Sequence, residues 1–222
     1  MRTEMQFRFI IAALVVGMLV VGCAGQGDAP AELPVQDAQA SEDLFGLPEE
    51  DSDLAKAMKI VTERREARRA KGDTVAMPAN TLKQFLPASI SGFTSGVPSI
   101  EQVNTPGVSL SRATATYTAA TGATVTITLV DYNASASGWE SATSVFSLPI
   151  AVENDSEISK TFQTDDPLIN GFESLKKSTK NTTVIYALGG RFMLEVTATK
   201  QSSLELTRSI AASVDLKKLA AL

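Results

Sequence analysis

Val184-Ile185-Tyr186-Ala187-Leu188-Gly189-Gly190-Arg191-Phe192-Met193-Leu194-Glu195-Val196-Thr197-Ala198 is the stretch that decides the fold. Val184, Tyr186 and Leu188 alternate up to the Gly-Gly pair, and Phe192, Leu194, Val196 and Ala198 alternate away from it. Period-two alternation marks strands with one buried face, and a Gly-Gly pair suits a primed two-residue turn because both positions accept positive φ. An antiparallel hairpin follows.

The same signature recurs upstream. Ala113, Ala115 and Tyr117 share one face, Gly122 turns the chain, and Val125, Ile127 and Leu129 alternate with Thr124, Thr126 and Thr128. That is a second hairpin with one buried face. Between the two hairpins, Trp139, Ala142, Val145 and Phe146 have helical spacing, residues 157–163 read as a strand, and Phe172 and Leu175 mark another after Asp165-Asp166-Pro167. Downstream, Ser202-Ser203-Leu204-Glu205 has the form of a capping box opening a helix that buries Leu206, Ile210 and Ala211, and Val214, Leu216 and Leu219 close the chain against the core. Upstream, Pro78-Ala79-Asn80-Thr81 offers a cap, Leu82, Phe85 and Leu86 form a short buried helical turn, and Pro87 ends it. Residues 94–107 contain Gly96, Pro98, Pro106 and Gly107 and predict an exposed loop. The expectation is an α+β domain over residues 77–222, with a mostly antiparallel sheet of about five or six strands and helices packed on it.

Leu86-Pro87 followed by Gly92-Phe93, the central hairpin, Gly190-Arg191-Phe192 and the closing Val214-Asp215-Leu216-Lys217-Lys218-Leu219 resemble uncharacterised bacterial envelope proteins. Their layout is similar to the PsbP-type α/β/α sandwich. The resemblance covers about residues 78–220 and implies a fold, with no activity attached.

Ahead of the domain, residues 51–76 read as a charged amphipathic helix and linker. The helix is expected over 53–71, with Asp51 or Ser52 as cap, Gly72 as stop and a narrow apolar stripe of Leu54, Met58 and Val61. Arg64, Arg65, Arg68, Arg69 and Lys71 crowd its second half. Such a face lies on anionic lipid or an acidic partner, or it is a solvated helix knitted by Glu–Arg pairs. The acids Glu49, Glu50, Asp51 and Asp53 lack calcium-loop spacing and favour the helix start instead. Residues 23–50 are rich in Gly, Ala, Pro, Gln and acids, the composition of a flexible tether.

Residues 1–22 begin with Arg2 and Arg8 and continue as an apolar run over 9–21, the layout of a secretory signal. That run is shorter than the roughly 20 apolar residues a spanning helix needs. Val20-Val21-Gly22-Cys23 resembles the lipobox of bacterial lipoproteins. The resemblance implies that the Cys23 thiol receives a diacylglycerol, that the signal is cut before it, and that the new amino group is acylated. Two or more chains give durable anchoring where one is marginal. Position 24 is Ala and not Asp, which in this family implies the periplasmic leaflet of the outer membrane. The competing reading is an uncleaved apolar anchor with an incidental cysteine.

The chain has no histidine and one cysteine. Ser-His-Asp and Cys-His hydrolases, His-ligated zinc and histidine proton shuttles are thereby excluded, as is an internal disulfide. A net charge of −5 argues against a nucleic-acid partner, and no cofactor or metal is implied. Arg191, just past the Gly-Gly turn, reaches an anionic ligand or pairs with a carboxylate. Asp131 and Tyr132 end a strand where sheets often present ligands, or Asp131 simply receives backbone donors at the turn. Trp139 stacks on a sugar or ring, or packs in the core. Asp165-Asp166 supplies too few ligands for a metal. The reading that results is a non-enzymatic binding or scaffold module, held to membrane lipid through Cys23 and engaging another envelope protein. A carboxylate-dependent hydrolase of cell-wall or lipid material needs two carboxylates about 5 to 9.5 Å apart, and a carrier of small apolar ligands needs a cavity between sheet and helix.

Overall fold

A computed structural model of the chain describes residues 52–222. The signal segment, Cys23, the tether and Asp51 lie outside the described residues.

Helix α1 (Asp53–Ala70) comes first, followed by the short helix α2 (Ala79–Leu82) with a 3₁₀ turn at Lys83–Phe85. Strands β1 (Phe93–Ser95), β2 (Ser99–Thr105), β3 (Val108–Ala119) and β4 (Thr124–Asp131) lead into helix α3 (Ala136–Thr143) and a 3₁₀ turn at Ser144–Ser147. Strands β5 (Ala151–Glu153), β6 (Glu157–Gln163), β7 (Ile169–Lys176), β8 (Asn181–Leu188) and β9 (Phe192–Ala198) precede helices α4 (Glu205–Ala212) and α5 (Leu216–Ala221). The nine strands form one antiparallel sheet in the order β1-β3-β4-β9-β8-β7-β6-β5, with β2 also paired to β3. The class is α+β.

Alternation places the core. Ala113, Ala115 and Tyr117 of β3, Val125, Ile127 and Leu129 of β4, Leu194 and Val196 of β9 and Val184 and Leu188 of β8 all bury one face of the sheet, under Leu82, Ile210, Ala211, Val214 and Leu219. The Tyr117 hydroxyl donates to the Pro87 carbonyl, fixing the segment that crosses the sheet end. On the opposite face a smaller cluster gathers Trp139 and Phe146 on Ala187, with Phe172, Ile185, Tyr132 and Val61 against it. Gly171 lies directly beneath the Phe162 ring, where a Cβ would overlap ring carbons, so β7 needs a glycine there.

The sheet is wider than the five or six strands expected. Residues 94–107 form β1 and β2 instead of a loop. Pro98 falls between these strands and Pro106-Gly107 makes the turn after β2, with Gly107 at φ +82°. The breakers flank strands on an edge, where proline costs no ladder bond. The capping box does not form either: α4 starts at Glu205 after Leu204, with no side-chain cap. Leu204 is drawn into the core at 7% exposure, which moves the start of the helix past Ser202 and Ser203. Likewise α2 begins at Ala79 with no side-chain cap, so Asn80 and Thr81 lie inside the helix.

Candidate functional site

The β4–β9 pairing sets Asp131 opposite Phe192, so Arg191 arrives beside the Asp131 carboxylate. Arg191 Nε and Nη2 donate to Asp131 Oδ1 and Oδ2 at 3.0 and 2.8 Å. Asp131 is fully buried and Arg191 is 8% exposed. The remaining lone pairs of Asp131 accept from the Met77 and Asn133 backbone N–H groups at 2.7 and 2.9 Å. Asp73 faces Arg191 Nη1 at 3.5 Å and accepts from Asn133 Nδ2 at 2.6 Å. One buried charge pair therefore ties the linker after α1, the end of β4 and the β8–β9 turn into a single knot. Its charges are spent on each other, in the bidentate geometry that makes such pairs strong.

The Gly189-Gly190 turn carries positive φ at both residues, +61° and +68°. Its outward carbonyls accept from Arg68 at 3.1 and 3.0 Å. Arg64 donates to the Ala221 carbonyl at 3.0 Å, and Arg65 lies 5.9 Å over the Trp139 ring and 3.9 Å from Glu140. Helix α1 thus docks through arginines. Burial, reinforced by the like charge of Arg191, pulls the Arg68 pKa down to about 10, which still leaves it charged at neutral pH.

The expected stripe of Leu54, Met58 and Val61 does not describe this contact. Met58 is 44% exposed, whereas Ala57 is buried and Val61, Arg64 and Arg68 continue its line at i+4, i+7 and i+11. The side chain of Leu54 lies outside the description. Arg69 is exposed on the cleft described next, and Lys71 is exposed at the helix end. Ser52 caps the helix by accepting from Ala55 N–H at 3.1 Å, and Gly72 at φ +76° ends it.

A cleft of about 1140 Å³ opens between α1, the β2–β3 turn, α3 and the 3₁₀ turn after it. Arg65, Arg69 and Glu66 stand on its α1 wall, Asn104 and Ser109 on the opposite wall, and Trp139 and Phe146 at its base. Trp139 is 5% exposed, with Tyr132 edge-on at 6.2 Å and Arg65 over the ring. Tyr132 is partly buried against this cluster. Asn170 also lines the cleft, and its Oδ1 is buried without a hydrogen-bond partner. Sequence reading singled out Arg65, Arg69 and Trp139 separately. Asn104 and Asn170 carry no signal of their own, because an asparagine in a strand or turn has many ordinary uses.

Two further carboxylates sit inside alternating runs. Glu195, in β9, lies on the same sheet face as α3. Glu173, in β7, is 2% exposed, gripped by Arg208 at 2.6 and 2.7 Å and by Lys160 at 3.2 Å. Burial alone would raise the Glu173 pKa, but hydrogen bonds from Arg208 and Lys160 outweigh it and hold the carboxyl below its ordinary value. In the unfolded chain it titrates near about 4.3. The contact therefore stabilises fully above that pH, and its contribution is lost as pH falls through the lower folded value. Glu173→Gln is expected to be less stable at pH 7 and to show a flatter decline of stability below about pH 4.3. Urea titrations at stepped pH check this, and an unaltered acid slope would contradict it.

Among the described residues no group of three or more Asp, Glu, His or Cys side chains could hold a metal ion, and no helix is long and apolar enough to cross a membrane. No family model matches the chain. No curated protein matches it either. Among solved structures it is similar to the X-ray structure of an uncharacterized protein from Mycobacterium smegmatis, at 11% identity and a TM-score of 0.32, covering 63% of this chain and 97% of that one. A likeness of that size assigns nothing.

Proposed function

We propose that this protein is a lipid-anchored, non-catalytic binding module of the cell envelope, tethered through Cys23 to the periplasmic leaflet of the outer membrane. In this reading the two-sided covering of the sheet is a PsbP-type sandwich, and the partner is another envelope protein. The observation that carries the binding role is the cleft of about 1140 Å³ beside α1. It is somewhat larger than the roughly 300–1,000 Å³ usual for small-ligand pockets, room enough for a segment of a partner, with Arg65 and Arg69 on one wall and an aromatic base.

Hydrolysis draws less support. Of the three carboxylates on the cleft, Glu66, Asp73 and Glu140, two are engaged by a cation: Glu140 faces Arg65 at 3.9 Å and Asp73 faces Arg191 at 3.5 Å. Carriage of a small apolar ligand has one feature in its favour, the Trp139 and Phe146 base. Both rings are already buried, at 5% and 7% exposure, and offer little free surface.

A photo-crosslinking residue at Thr62, exposed on the cleft wall, tests the proposal in the full-length chain in native membranes. A discrete crosslinked species is expected, with its yield reduced at least about fivefold by Arg69→Glu, since a rim charge at an interface steers encounter. The proposal fails if no crosslink forms, or if a crosslinker at exposed Lys180 gives the same product. Mass spectrometry of the amino terminus reads the anchor separately: an acylated Cys23 is expected.

A further inference from the structure

The sheet ends in two edges. One is β5, three residues long, and the other is shared by β1, also three residues, and β2, seven residues. An edge strand presents unpaired N–H and C=O groups, and proteins blunt such edges with short strands, prolines, lysines or bulges. Strand β2 has none of these between Ser99 and Thr105. It runs in unbroken register with β3, from Ser99 opposite Thr114 to Thr105 opposite Val108, and all seven residues are exposed. The backbone groups on its outer side bond to no described residue.

The strand is symmetric about Gln102 in the properties that govern pairing. Pro98 and Pro106 stand four residues to either side, and neither has an N–H to extend a ladder. Residues directly opposite in a sheet share a face, so two copies related by a two-fold axis normal to the sheet must set one residue of β2 against itself. With Gln102 on the axis all seven residues pair: Ser99 meets Thr105, Ile100 meets Asn104, and Glu101 meets Val103 of the other copy. Moving the axis to Glu101 sets two carboxylates face to face and, like an axis at Val103, leaves five pairs before a proline intervenes. The one charged side chain of β2, Glu101, is neutralised within its own chain by Arg112 at 3.3 Å, so no net charge opposes the approach. Gln102 Oε1 accepts from the Ala79 N–H at 3.2 Å, which leaves its amide donors for the facing Gln102.

We infer that two copies of this chain join β2 to β2 antiparallel, so that each nine-stranded sheet continues into the other. Strand addition by an unrelated chain requires no symmetry about Gln102, whereas self-pairing does. The same register brings Val97, the most exposed of the large apolar side chains described, level with the Gly107 turn of the other copy. The assembly closes at two copies, because each has one such edge and three-residue β5 is too short to recruit a third. Backbone hydrogen bonds supply the affinity in this mode of association, and a seven-residue ladder is a small interface, so the dimer is weak in free solution. The edge adjoins the cleft at Asn104 and Thr105, yet the pairing rests on no partner bound there.

Equilibrium sedimentation of the full chain in excess detergent is expected to show a monomer–dimer equilibrium in the micromolar range. Val103→Glu faces Glu101 of the other copy at two symmetric positions and should raise the dissociation constant at least about threefold. Val103→Lys faces the same carboxylates with opposite charge and should not. At dilutions where the chain is monomeric, neither variant should move the melting temperature. In native membranes under mild oxidation, Gln102→Cys should form a disulfide-linked pair, since directly opposed Cβ atoms lie about 4.5–5.5 Å apart. Ser99→Cys should not, because its counterpart lies six residues along, about 20 Å away, but a mixture of Ser99→Cys and Thr105→Cys chains should. The wild-type chain, whose one cysteine is Cys23, is the blank. Arg69→Glu, on the cleft, should leave the dimer intact, so loss of a cleft partner and loss of the dimer are read separately. The inference is overturned if the wild-type chain sediments as a monomer at about 100 µM, if Val103→Glu and Val103→Lys dimerise alike, or if Gln102→Cys links no better than Ser99→Cys or links to a different protein instead.

Discussion

Arg191→Ala is expected to lower unfolding stability by about 3–5 kcal/mol, because breaking a buried pair leaves a charge in the interior without its partner. Asp131 would retain the Met77 and Asn133 backbone donors and lose the guanidinium, while itself fully buried. Arg191→Lys should recover only part of the loss, since a point charge cannot reproduce the fork that spans both carboxylate oxygens. The double replacement Asp131→Leu with Arg191→Met removes both charges, and in many proteins such a swap is nearly neutral. Here it should remain measurably destabilised, because the Met77 and Asn133 N–H groups would then lack an acceptor. Urea midpoints for the four chains check the order, and a loss below about 1 kcal/mol for Arg191→Ala would mean that water reaches the carboxylate.

The same pair marks how far a sequence carries. Arg191 and Asp131 each stand out, one beyond a Gly-Gly turn and one at a strand end, but 60 residues separate them. Nothing local assigns one to the other. Only the register of β4 against β9 does, and register is a property of the assembled sheet. The two hairpins were legible because burial follows period two along β3 and β9, through Leu129 in β4 and through Ile185 in β8. The edge strands β1 and β2 were not, since all seven residues of β2 are exposed and no alternation survives where neither face is buried. Helix α1 was open in the sequence between docking on the domain and standing apart. Arginines read as solvent-facing or lipid-facing, yet Arg64 and Arg68 donate to main-chain carbonyls that a turn and a helix end leave over. The cleft was illegible because its walls come from three stretches of chain, 58–75, 104–109 and 133–147, with single residues of β7, β8 and the β8–β9 turn, that meet only in the fold.

Gly189→Ala is expected to cost about 2–5 kcal/mol, from two sources that cannot relieve each other. At φ +61° a side chain costs about 1–2 kcal/mol in backbone strain. Its Cβ would also overlap the Ala220 carbonyl, which belongs to the backbone of α5 and cannot rotate aside, and overpacking of this kind costs about 1–3 kcal/mol. Helix α5 carries Leu219, fully buried, so its displacement is felt in the core and the whole unfolding transition should shift. Gly190→Ala makes the informative contrast. Its φ of +68° brings the same strain, but its Cβ would meet Val61 Cγ1 at 2.8 Å and the Val61 carbonyl at 3.1 Å, both on α1. Helix α1 adds few buried apolar groups to the domain, so it can lift away while the sheet persists. Hydrogen exchange should therefore show α1 amides deprotected in Gly190→Ala, and in Arg68→Ala, at a urea midpoint that moves much less than for Gly189→Ala. Because α1 is one wall of the cleft, the Thr62 crosslink should vanish in these two variants. A Gly190→Ala chain that unfolds as early as Gly189→Ala would instead make α1 an integral layer of the domain.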